Sequence, residues 1–153
     1  MVRGKLELET VEGLGLQFRA RSGSGHTMVL DNEQGDKGPR PMETVLLALG
    51  GCTAMDVISI LRKKRQTVTS YEIELAGEKR TEHPSYFTRV EILHRLRGRI
   101  DPEAARHAIE LSETKYCSVG AMIGKTAQIV HKFEILPPED AVERQKPVRA
   151  ISA

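Results

Sequence analysis

Lys5, Glu7 and Glu9 alternate with Leu6, Leu8 and Thr10, and after Val11-Glu12-Gly13-Leu14-Gly15 the same period of two resumes at Leu16, Phe18 and Ala20. Alternation puts one row of side chains on each face of an extended chain, and a glycine-bearing turn between two such runs predicts a β-hairpin. A Gly/Ser turn at residues 22–25 leads into 26–31, where Met28 and Leu30 continue the pattern and predict a third antiparallel strand. Residues 32–41 hold two glycines, two prolines and four charged side chains and predict a loop. Pro41 suits a first helical position, where its missing donor would have no partner anyway. A helix then runs from Met42 to about Arg65, with cations in its last turn that suit the negative end of its dipole. Residues 69–80 and 87–99 both alternate again, with Glu82-His83-Pro84-Ser85 between them, and predict a second hairpin. Asp101-Pro102-Glu103 reads as an N-cap before a first-turn proline, and Ala105, Ala108, Ile109 and Leu111 form the apolar stripe of a helix ending near Tyr116. Cys117-Ser118 caps a further short helix through Ile123, and residues 127–135 return to a strand with Ile129 and Phe133 on its apolar side.

Strands arriving as three, two and one, with helices between, predict an α+β fold in which antiparallel or mixed sheet is covered on one side by helices. The long helix is the unusual element. Residues 44–61 are nearly all apolar or small, which imitates a membrane anchor, but Asp56, Ser59, two threonines and Gly50-Gly51 lie within the run. A lone charge at mid-membrane costs about 2.5 to 3.5 kcal/mol on insertion scales, so a buried central helix is expected and a membrane partner is not. A helix apolar all round needs more cover than one small sheet gives, which predicts an intertwined homodimer.

At 153 residues the chain has the length of one ordinary domain, expected over 1–137, and the polar, turn-rich stretch 138–153 is expected to be a flexible tail. Twenty-three basic against 21 acidic side chains leave a net charge of +2, and with 4% aromatic residues and no tryptophan this argues against a nucleic-acid partner. Two cysteines exclude a disulfide-dense scaffold. The first ten residues alternate in polarity and do not follow a secretory pattern, so a cytoplasmic location is expected.

Candidate chemistry centres on those cysteines. Cys52 sits in Gly50-Gly51-Cys52-Thr53 inside the apolar helix, where a thiol is either a small core hydrophobe or a reactive group. Cys117 follows Lys115-Tyr116 where one helix stops and another starts, a setting that favours a thiolate. His26, His83, His94, His107 and His131 show no paired spacing of the kind metal-binding helices use, so no metal site and no cofactor are expected.

The runs Ser24-Gly25-His26, Gly35-Asp36-Lys37-Gly38-Pro39-Arg40-Pro41-Met42-Glu43, the stretch 50–61 beginning Gly50-Gly51-Cys52-Thr53, and Lys115-Tyr116-Cys117-Ser118-Val119 together resemble the osmotically inducible (OsmC) and organic hydroperoxide resistance (Ohr) family, and within it the YhfA-like branch. The resemblance spans roughly residues 5–135. It implies an OsmC-like two-layer α+β sandwich made by two intertwined chains, with an active site at each subunit junction. It also implies a thiol-dependent peroxidase in oxidative-stress defence: Cys52 as the peroxidatic thiol, Cys117 as the resolving thiol, a small or fatty-acid hydroperoxide as substrate and an external dithiol as reductant. The family's activating arginine lies in the first hairpin turn, but that turn here reads Glu12-Gly13-Leu14-Gly15. Arg80, in Glu78-Lys79-Arg80-Thr81-Glu82-His83-Pro84, is the expected substitute, with Arg19 and Arg21 as weaker candidates, and Glu43 matches the glutamate that orients the arginine. Asp56 lies one turn beyond Cys52, where a carboxylate opposes thiolate formation and predicts a slow or altered peroxidase. The alternative is a non-enzymatic dimeric module that binds an apolar ligand or senses oxidants.

Overall fold

A computed structural model describes residues 1–9 and 12–139. The tail expected over 138–153 therefore lies outside the described residues except for its first two positions. The chain divides into two compact units, Met1–Leu47 and the part from Ala48 onward.

In the first unit the alternating runs become three strands, β1 (Gly4–Leu8), β2 (Phe18–Ser22) and β3 (Thr27–Leu30), in an antiparallel meander of that order. Leu6 stands opposite Ala20, which in turn stands opposite Met28, so the apolar rows coincide across the sheet. The loop after β3 is organised by Asp31, only 3% exposed. Its carboxylate accepts the backbone N–H groups of Leu16 at 2.8 Å, Asn32 at 2.8 Å and Lys37 at 3.2 Å. Helix α1 (Pro41–Lys63) opens with one half of a capping box: the Arg40 N–H donates to Glu43 Oε2 at 2.8 Å, pairing a donor that helix geometry leaves free.

In the second unit a mixed sheet runs β4 (Thr67–Lys79), β5 (Phe87–Arg99), β6 (Gln128–Leu136), antiparallel between the first pair and parallel between the second. The parallel step needs a crossover, supplied by α2 (Pro102–Leu111), a π-helical turn over Ser112–Tyr116 and α3 (Ser118–Ile123). Helix α2 starts as the sequence predicts, with Asp101 accepting the Ala104 N–H at 3.2 Å and Pro102 in the first turn. Its end differs. The predicted helix continues to Tyr116, but its last turn widens so that the Cys117 N–H reaches the Ser112 carbonyl at 2.8 Å, a five-residue spacing. Val57 and Leu61 of α1 pack with Leu96, Ile100 and the alanine stripe of α2. Each fully buried Leu or Val there contributes about 1.5–3 kcal/mol by removal from water. Gly50 lets α1 approach the sheet, since a Cβ on it would lie 2.6 Å from Leu75 Cδ1. Within a single chain α1 buries one stripe, Leu49, Gly50, Thr53, Val57 and Leu61, while Leu47 and Met55 remain 60% and 73% exposed.

Candidate functional site

Helix α1 carries Cys52, Thr53 and Asp56 within just over one turn, and the junction of the π-turn with α3 carries Cys117. The fold brings these groups together although they are far apart in sequence. Cys52 Sγ, Cys117 Sγ and an Asp56 carboxylate oxygen all lie within 4.8 Å of one another, and both thiols are free. Cys52 is partly exposed and Cys117 is buried.

The second sulfur is held by its surroundings. Gly120 N–H donates to Cys117 Sγ at 3.2 Å, and Thr53 Oγ1 lies 3.5 Å from it. A side chain at 120 would press on that contact, because a Cβ there would stand 3.2 Å from the sulfur. Burial pushes the Cys117 thiol above its ordinary value; the Thr53 and Gly120 contacts act the other way, and neighbouring Cys52 adds to the rise. Ser112, fully buried, ties the two cysteine-bearing segments: its hydroxyl donates to Asp56 Oδ2 at 3.0 Å, while its carbonyl accepts the Cys117 N–H. The π-turn thus serves the site, since an ordinary α-turn would pair a different carbonyl with Cys117. The trio Cys52, Asp56 and Cys117 is also the one group among the described residues whose donor atoms lie close enough to hold a metal ion. It contains no histidine, which is why histidine spacing in the sequence carries no signal of it.

Beside Cys117 opens a cavity of about 250 Å³, lined by Leu49, Thr53, Glu113, Ile129 and His131 among others. His131 leads inward. Its Nδ1 lies 3.0 Å from His94 Nε2, and His94 Nδ1 lies 2.7 Å from the Tyr71 hydroxyl. Burial lowers His94 to about 4, with the charge of His131 acting in the same direction, and burial also lowers His131 against the opposing effect of Glu113. Burial raises the Tyr71 phenol well above its usual value.

Three further residues expected at the site have partners within their own unit. Glu43 belongs to the first unit, where besides capping α1 it accepts from the Arg40 guanidinium at 3.0 Å. Arg80 spends its donors locally, on Glu82 at 2.5 Å and the Tyr86 hydroxyl at 3.4 Å, with its guanidinium 5.2 Å above the Tyr86 ring. Arg19 pairs with Glu9. Among the described residues of the second unit, the hydrogen-bond partners of Cys117 Sγ are Thr53 and Gly120, and neither is a cation. Sequence reasoning missed Thr53, Ser112, Gly120 and the Tyr71–His94–His131 chain. One signal was present: His94 holds an inward position between Ile92 and Leu96 in an alternating strand.

Comparisons with known proteins follow the same lines. The family profile described as OsmC-like protein matches residues 34–132. The chain is 45% identical over 123 residues to Protein YhfA of Escherichia coli strain K12, covering 80% of this chain and 92% of that one. Among solved structures, a hypothetical protein from Aquifex aeolicus VF5 superposes with a TM-score of 0.81 at 32% identity, covering 91% of this chain and 98% of its own. The organic hydroperoxide resistance protein OhrB of Bacillus subtilis superposes with a TM-score of 0.63 at 10% identity, covering 88% and 98%.

Proposed function

This chain belongs to the OsmC-like family, and from that premise we propose that it is a thiol-dependent peroxidase that reduces organic hydroperoxides through Cys52 and Cys117, working as a cytoplasmic homodimer in oxidative-stress defence. The observation that carries the reading is the meeting of two free thiols within 4.8 Å, one partly exposed and one buried beside a cavity. OhrB of Bacillus subtilis, whose fold this chain shares, is named for organic hydroperoxide resistance.

The roles follow from exposure. The attacking sulfur must meet the peroxide, and Cys52 is the more accessible of the two. Its thiolate attacks one peroxide oxygen; the O–O bond breaks, leaving Cys52 as sulfenic acid and releasing an alkoxide that takes up a proton. Cys117 then attacks the Cys52 sulfur; the S–S bond forms as the S–O bond breaks and the oxygen departs to become water. An external dithiol reduces the disulfide by exchange and leaves as its own disulfide. Burial favours this order, because a Cys117 thiol kept protonated does not compete for the peroxide before Cys52 has reacted. Arg80 and Glu43 keep their proposed parts as cation and orienting carboxylate. Within one chain Arg80 donates to Glu82 and Tyr86, and Glu43 accepts from Arg40.

Stopped-flow mixing with tert-butyl or fatty-acid hydroperoxide tests the reading. We expect sulfenic acid to be trapped on Cys52 in the Cys117→Ser protein, and peroxide loss in the presence of a dithiol that Cys52→Ser abolishes. Peroxide loss no faster than that of Cys52→Ser, with no sulfenic acid formed, overturns it; retention of an apolar ligand in native mass spectrometry would then favour a binding module.

A further inference from the structure

The inner face of the β4–β5–β6 sheet is apolar except where Tyr71, His94 and His131 cross it, one from each strand. In the strand register Tyr71 stands beside the partner of His94 on β4, and His131 beside its partner on β6, so the three side chains lie on a diagonal. Their rings stack in turn, Tyr71 on His94 with centroids 6.0 Å apart and His94 on His131 at 5.3 Å. His94 is 0% exposed and both its ring nitrogens are hydrogen-bonded. An apolar side chain would fill that core position at no desolvation cost, so a buried imidazole there calls for a reason.

The hydrogen-bond order also fixes where each proton sits. Among the described residues the Tyr71 hydroxyl has His94 as its hydrogen-bond partner, and burial keeps the phenol protonated, so its O–H donates to His94 Nδ1. His94 must then carry its proton on Nε2 and donate to His131 Nδ1. That leaves His131 with a proton on Nε2, the nitrogen without a partner inside the sheet, on a residue that lines the cavity beside Cys117.

We infer that Tyr71, His94 and His131 form a proton relay serving the thiol cavity, with His131 exchanging protons there. This role rests on the peroxidase reading above. In the first half-reaction His131 Nε2–H gives its proton to the alkoxide released when the O–O bond breaks; His131 Nδ1 takes the His94 proton, and His94 Nδ1 takes the Tyr71 proton. In the second, the Cys117 thiol returns a proton to His131 Nε2 and the shifts reverse, so that Tyr71 is a phenol again. The Cys117 sulfur then displaces the sulfenic oxygen as hydroxide, which solvent neutralises. The relay lends one proton and recovers it, and the buried, protonated Cys117 is its source. The ionisable groups near His131 are His94 from β5, Glu113 from the π-turn and Cys117 at its end, with Cys52 and Asp56 of α1 beyond the sulfur.

Tyr71→Phe removes the far end of the relay and leaves the cavity lining untouched. We expect sulfenic acid formation from tert-butyl hydroperoxide to slow by roughly tenfold or more, the lower part of what a positioned proton donor supplies. Alkylation of Cys52 by iodoacetamide releases iodide and needs no proton delivered, so its rate should stay within about twofold of wild type; a distorted site would slow both. His131→Gln, a change at a partly exposed position, should show the same split. Nitrogen-15 NMR of labelled histidine should find both His94 and His131 as the Nε2–H tautomer in the wild-type protein, and His94 released from it in Tyr71→Phe. Wild-type peroxide rates in both variants, or Nδ1–H at His131, overturn the relay. A wild-type protein that forms no sulfenic acid overturns the peroxidase reading instead, and the tautomers then report on the chain alone.

Discussion

Asp56 is the residue whose position most constrains the chemistry. Its carboxylate lies within 4.8 Å of both sulfurs, and the hydroxyl of Ser112 is its hydrogen-bond donor. Negative charge at that range opposes the approach of a second negative charge. Asp56→Asn should therefore speed iodoacetamide alkylation of Cys52 at pH 7 by roughly three- to tenfold, with the gain shrinking as salt is added. An unchanged rate would overturn this effect of Asp56 on the thiol. Asp31 shows the opposite arrangement. Burial works against its charge, but three backbone donors outweigh burial and hold the carboxyl below its ordinary value. A depressed native value gives stability that is present above the unfolded value of 3.8 and is lost as the pH falls through the native one. Urea unfolding of the full protein across pH 2 to 5 should show that loss, and Asp31→Asn should flatten it.

At the scale of elements, β5 makes the second unit work. Its inward row of Val90, Ile92, His94 and Leu96 is buried, while Arg95 on the opposite face binds Glu72, Glu74 and Glu134 from both neighbouring strands. These ion pairs are exposed and each is worth little; the alternation itself locks the register, because a slip by one residue would drive the arginines inward. One residue before the strand ends stands Gly98, whose φ of 139° lies in the left-handed region and whose Cβ position is taken by the Thr67 carbonyl oxygen. Gly98→Ala should cost about 2 kcal/mol or more by backbone strain and collision, read as a lower urea midpoint with an unchanged slope. A shift below about 0.5 kcal/mol would show that the bulge between β4 and β5 relaxes freely.

For the whole molecule, the exposed side of α1 is the outstanding feature. Met55 and Leu47 stand in solvent in a single chain although they belong to a helix that is apolar all round. The homodimer we propose gives them a cover. Sedimentation should then find about twice the 17.0 kDa chain mass, and Met55→Lys should shift the protein toward monomer and lower its Tm. A wild-type monomer at micromolar concentration would overturn the dimer.

Local rules made much of this molecule legible. Period-two runs, glycine turns, the Asp101 cap and the Pro41 helix start depend on neighbours a few positions away, and each became the element it predicts. The motifs around Cys52 and Cys117 singled out two sulfurs that the fold brings within 4.8 Å of each other, since each lies in a short distinctive run. The parallel placement of β6, the π-turn at Ser112, and the meeting of Cys52, Asp56 and Cys117 depend on packing between segments that the chain order leaves independent. So does the line from Tyr71 through His94 to His131, since three polar residues on three strands become neighbours only when register and pairing are set. Residue type and spacing determine what a segment prefers to be; which groups then share a cavity is decided by the packing that buries them.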